Sequence, residues 1–142
     1  MDQKSWNELG SFSVQPAKAP WVRALEFLPA GTLLRFEVDG AANPQWTYHE
    51  SPALTCGPDG DAKTKVTADA LPLATAPAGC LLAKVGGSTA ANDGVIFAVG
   101  SFCIRKLADA ESGPLYFGMN VAASNLPAAN TAIVVKVAEG KS

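Results

Sequence analysis

The chain has 142 residues, of which 48% are hydrophobic and only 17% charged, enough apolar material for the core of one ordinary domain. Eleven Lys and Arg against thirteen Asp and Glu leave a net charge of -2 without a basic cluster, which argues against a nucleic-acid partner and a polybasic membrane anchor. His49 is the only histidine, and Cys56, Cys80 and Cys103 lie more than twenty residues apart, so most catalytic triads and the common zinc spacings are excluded.

From the N-terminus, Met1 to Trp6 lacks the apolar core of a signal peptide, which predicts a cytoplasmic protein whose release, if it occurs, is non-classical. Strands are expected at Phe12 to Gln15 and Val22 to Leu28, with a turn at Pro29-Ala-Gly31. Alternation then puts Leu34, Phe36 and Val38 on a buried face and Leu33, Arg35 and Glu37 on a wetter one, before a turn at Asp39-Gly40. Asn43 to Leu54 reads as a loop carrying Trp46, Tyr48 and His49. Gly57-Pro-Asp-Gly60 is a turn, and Asp61 to Ala70 has room for one helical turn.

Further strands are expected at Cys80 to Val85, Val95 to Val99 and Phe102 to Lys106, separated by Gly86-Gly87 and Asn92-Asp-Gly94. A second helical turn fits Arg105 to Glu111, ahead of a turn at Ser112-Gly-Pro114. Leu115, Phe117 and Met119 then alternate with Tyr116, Gly118 and Asn120, and Ile133, Val135 and Val137 with Val134 and Lys136. Between these strands, Ala122 to Asn130 is a loop of turn-forming composition. Ser112 to Val135 carries no Asp, Glu, Lys or Arg, but its prolines, glycines and asparagines exclude a membrane-spanning helix. About eight short antiparallel strands in one domain, residues 1–142, make an all-β sandwich or jelly roll the expected fold class.

Several segments, taken in order, resemble the bacterial PA-I galactophilic lectin family. They are Pro16 to Trp21, Leu28-Pro-Ala-Gly31, Leu34 to Gly40, Gly57-Pro-Asp-Gly-Asp61, Gly79 to Gly86 and Phe97-Ala-Val-Gly100. The strongest are Gly113-Pro-Leu-Tyr-Phe-Gly-Met-Asn120 and Ala132 to Val137. The resemblance implies a small jelly-roll β-sandwich that binds galactose through a calcium ion held by the loop between its last two strands. Calcium needs roughly six to eight oxygen ligands, and sugar hydroxyls complete that shell.

The chain departs from the family where that chemistry sits. The family's Asn-Asp pair is Asn120-Val121 here, and its later Asn/Asp-Asn pair falls on Ala128-Ala129. Neither Asp nor Glu occurs between Glu111 and Glu139, and Ala62 to Thr67 lacks the family's sugar-contacting His and Gln. The calcium-galactose mechanism is therefore expected to be lost, leaving no cofactor and no metal site.

Asp59 and Asp61 fall short of an EF-hand loop and read as turn residues. Asp109 and Glu111 do not identify a glycosidase, so no enzymatic activity is expected. The leading expectation is a lectin-like module whose loops bring a glycan to Trp46, Tyr48, His49, Asn120, Asn125 and Asn130. The alternative is a structural or protein-interaction subunit that kept the fold and lost sugar binding. In either case the charge-poor C-terminal third predicts a homo-oligomer, because uncharged edge strands need covering.

Overall fold

The computed structural model of the chain describes residues 5–15, 21–38, 45–49, 54–61, 71–73, 75–87, 93–121 and 132–141. Among them are ten strands and no helix: β1 (Ser5–Val14), β2 (Val22–Leu28), β3 (Leu33–Val38), β4 (Trp46–His49), β5 (Leu54–Cys56), β6 (Leu81–Val85), β7 (Val95–Ala98), β8 (Phe102–Lys106), β9 (Gly113–Met119) and β10 (Ile133–Lys141). They form a first sheet in the order β1-β10-β3-β8, a second in the order β2-β9-β6-β7, and a β4-β5 hairpin, with every strand pair antiparallel. With the hairpin set aside, successive strands switch sheets at every step except β6 to β7.

The alternation expected from sequence is what builds the interior. Leu34, Phe36 and Val38 of β3 and Ile133, Val135 and Val137 of β10 are buried, whereas Glu37, Val134 and Lys136 between them are exposed. The two inner faces meet through rings: Phe36 lies 5.7 Å from Phe97 and 5.9 Å, edge-on, from Phe117, which in turn lies 6.5 Å from Phe12. This cluster draws on residues from Val14 to Val137, tying the described strands to one core.

The second sheet is covered on its outer side as well. Trp21, Cys80, Leu82 and Tyr116 form a separate buried cluster with Leu73, Ala76 and Ile96 packed against it. Beneath it, the fully buried Lys84 places Nζ 2.8 Å from the Asp93 carboxylate and 4.9 Å from the ring centres of both Trp21 and Tyr116. That geometry returns to the ammonium part of the solvation it loses on burial.

Three local expectations change. Asn43 to Leu54 is not wholly a loop, because Trp46–His49 pairs with Leu54–Cys56. This hairpin packs on the turn at Gly79, whose φ of +80° suits glycine and where a Cβ would come within 2.5 Å of Cys56 Sγ. Arg105 to Glu111 holds no helix: β8 continues to Lys106, a single turn then closes from the Glu111 N–H to the Ala108 carbonyl at 3.0 Å, and the Glu111 carboxylate accepts the Ala108 N–H at 2.8 Å and pairs with Arg105 at 3.0 Å. Gly113 and Pro114 open β9 rather than forming a turn. Strands β9 and β10, which flank the charge-poor stretch from Ser112 to Val135, are not edges, since each is paired on both sides. The expected turn at Asp39-Gly40, most of Asp61 to Ala70, and the loop Ala122 to Asn130 lie outside the described residues. No helix among the described residues is long and apolar enough to cross a membrane.

Candidate functional site

Of the six residues expected to face a ligand, the structure places three in the interior. Trp46 is fully buried and donates its indole N–H to the Gly79 carbonyl at 2.8 Å. Tyr48, 1% exposed, donates its hydroxyl to the Asp61 carboxylate at 2.7 Å. Neither ring offers a face on which a sugar could stack. The reason lies in the hairpin: Trp46 and Tyr48 both point from β4 onto the Gly79 turn, where apolar area is removed from water.

Asn120 is also fully buried, at the end of β9. Its amide N–H groups donate to the carbonyls of Leu73 (2.9 Å), Ala76 (3.1 Å) and Pro77 (3.0 Å), and its Oδ1 accepts the Leu73 N–H at 3.0 Å. Backbone bonds from Gly79 N–H to Asn120 O (3.0 Å) and from Asn120 N–H to Cys80 O (2.9 Å) complete the clamp. Asn120 thus holds the segment from Leu73 to Cys80 against the second sheet. His49 belongs to β4, but its side chain lies outside the described residues, as do Asn125 and Asn130.

The same geometry bears on calcium. Asn120 Oδ1 is committed to a backbone N–H, and Val121, 6% exposed, belongs to the hydrophobic core. At these two positions the residues do not fit the family's metal, which needs an available amide oxygen and a carboxylate.

A different site lies on the outer face of the first sheet. Register sets Glu8 of β1 opposite Ala138 of β10, and Ala138 opposite Arg35 of β3. In the next row Lys136 lies opposite Glu37. Ala138 is too small to fill the space between its longer neighbours, and a pocket of about 160 Å³ opens there, lined by Glu8, Arg35, Glu37, Lys136, Val137 and Ala138. At roughly 30 Å³ per water that is room for about five waters, on the scale of one sugar ring.

The rim is charged and unspent. Among the described residues, the side chains of Glu8, Glu37 and Lys136 form no hydrogen bond or ion pair, while the Arg35 guanidinium sits 4.7 Å from the ring centre of Trp6. The indole orients Arg35 without occupying its N–H donors. Two carboxylates that accept and two cations that donate therefore surround one small opening, the complement that a polyhydroxylated molecule needs.

Alternation alone put Arg35, Glu37 and Lys136 on outer faces, but it does not reveal that β10 lies between β1 and β3. Chain neighbours are far from these strand neighbours: Glu8 and Ala138 are 130 positions apart. No protein-family model matches the chain, and a search of curated proteins finds no match.

Proposed function

We propose that the protein is a non-catalytic binding module that takes one sugar unit of a glycan, without calcium, in the pocket over Ala138. The observation that carries the reading is the rim of Glu8, Arg35, Glu37 and Lys136, whose charged donors and acceptors are not consumed by one another. Hydrogen bonds from sugar hydroxyls to ionised groups are the stronger kind, worth about 1.5–3 kcal/mol each where water is excluded. The pocket is well below the 300 Å³ or more typical of drug-sized ligands. A single ring with a dissociation constant on the order of millimolar is the expected scale, raised by multivalency on a surface glycan. Alternation of successive strands between two sheets supports the jelly-roll part of the lectin resemblance.

The test is a glycan array in calcium and in EDTA, followed by titration of the best monosaccharide by NMR. Binding should be equal in both conditions and fall about tenfold in Glu8→Gln and in Lys136→Met, each of which removes one charge-assisted bond. Absence of any hit, loss in EDTA, or undiminished binding by both variants would overturn the proposal. The interaction-subunit reading is favoured by a separate observation, the apolar side chains exposed along β8.

A further inference from the structure

Strand β8 ends the first sheet among the described strands. Its neighbour β3 leaves it little cover: Phe102 and Ile104 are each 53% exposed, and the strand alternates exposed and half-buried residues throughout. Cys103 and Arg105 turn toward the core side, so Phe102, Ile104 and Lys106 share the outer face.

The backbone parity is fixed by the bonds that bracket the strand. Val38 N–H donates to Ser101 O at 3.0 Å, and Leu107 N–H to Thr32 O at 2.8 Å. In an antiparallel ladder, residues that turn both backbone groups to the neighbour alternate with residues that turn both away. Ser101, Cys103, Arg105 and Leu107 therefore face β3. Phe102, Ile104 and Lys106 present their N–H and C=O groups along the open edge.

Natural edges are usually blunted by a charge or proline at mid-strand. Here the middle residue is Ile104, and the only exposed charge on the strand is Lys106 at its end. A two-fold axis through Ile104 makes the strand complementary to itself. Ile104 then faces the partner's Ile104, and Phe102 faces the partner's Lys106. All three edge-facing residues enter two-bond pairs, with nothing in the five-residue strand left over.

Charge supports the same register. Glu37 lies directly across β3 from Phe102, so the partner's Lys106, extended over the Phe102 ring, approaches the Glu37 carboxylate. The arrangement occurs twice about the axis. Glu37 is exposed and among the described residues has no other ion-pair partner.

From this we infer that the protein pairs with a second copy of itself through β8, antiparallel and centred on Ile104, joining two four-stranded sheets into one of eight strands. A strand pair this short buries less than the roughly 1,200 Å² of a standard interface, so the dimer is weak and concentration-dependent. Sugar binding is not required for it.

Sedimentation equilibrium of the whole chain, from about 10 µM to 1 mM, tests it. The mass should rise from 14.6 kDa toward twice that value across the series. Ile104→Lys, which puts like charges face to face at the axis, should raise the dissociation constant at least tenfold, with thermal unfolding showing that the variant folds. Ile104→Cys should form a covalent dimer under mild oxidation, whereas Phe27→Cys, 62% exposed on β2, should not. A constant monomer mass at 1 mM would overturn the proposal. So would a dimer unchanged by Ile104→Lys, or equal cross-linking through Phe27→Cys.

Discussion

The outer faces of the two sheets are treated in opposite ways. On the second sheet all five residues of β6 are buried, because Trp21 and the segment ending at Cys80 close over them. On the first sheet β3 keeps the half-wet alternation of a surface strand, and Glu8, Arg35, Glu37 and Lys136 surround a pocket on it. Both faces carry charge, but to different ends. Lys84 is enclosed, and Asp93 and two aromatic rings around it help its burial to be tolerated. The charges of the first sheet stay hydrated and remain available to a ligand. A closed face contributes stability, while the open one is where we propose that a ligand binds.

The strongest test of that contrast is a pair of tryptophan deletions. Trp21→Ala removes a fully buried ring from the lid and one wall of the Lys84 site, and should cost about 4 kcal/mol in chemical denaturation. Trp6→Ala removes a half-buried ring that touches Arg35 on the open face, and should cost less than about 1 kcal/mol. Equal losses from the two variants would erase the distinction between the faces.

Next in size is the clamp that holds the lid. Asn120→Ala leaves the carbonyls of Leu73, Ala76 and Pro77 and the N–H of Leu73 without their side-chain partner. An unsatisfied buried polar group costs about 1–3 kcal/mol, and partial entry of water should bring the whole to about 3 kcal/mol. Hydrogen exchange should quicken at Gly79 and Cys80, whose N–H groups belong to the turn beside Asn120. A loss below about 1 kcal/mol would mean that packing alone keeps the lid closed.

The sequence was informative where a pattern of period two reports one buried face, as in Leu34, Phe36 and Val38 or Ile133, Val135 and Val137. Those residues reveal the sandwich because burial and alternation coincide on them. In β6 the same rule has less to work with: Leu81 to Val85 is buried on both faces, and the covering residues Trp21, Leu73 and Ala76 come from elsewhere in the chain. The hairpin of β4 and β5 was hidden by the turn-forming residues around it. Asn120 carries no local sign of its role, since an asparagine in a solvated turn and one gripping a distant loop look alike in a sequence. The pocket was illegible for a related reason, requiring the strand order that places Glu8, Ala138 and Arg35 in one row.

At neutral pH no effect is expected from the thiols, but in alkali they sharpen the contrast between closed and open positions. Burial pushes Cys56, at the end of the hairpin, up to about 12 and Cys80, at the end of the covering segment, up to about 11, from an unperturbed value of 9.0. Half-buried Cys103 on β8 is raised as well, again chiefly by burial. Above pH 9 the unfolded chain releases thiol protons that the folded chain retains. The contribution to stability is therefore complete below pH 9 and is lost as pH climbs from 9 toward 11 and 12. Each of the two deep thiols should remove about 1.4 kcal/mol per pH unit in that window. Urea denaturation at pH 8, 9 and 10 measures the slope. Cys80→Ala should flatten it by the share of one thiol, whereas Cys103→Ala should change it less. In the native protein at pH 8 a thiol reagent should reach Cys103 first, and Cys56 and Cys80 only after unfolding. Labelling of Cys80 as fast as Cys103 would show that the lid opens freely, and the second sheet would then be as accessible as the first.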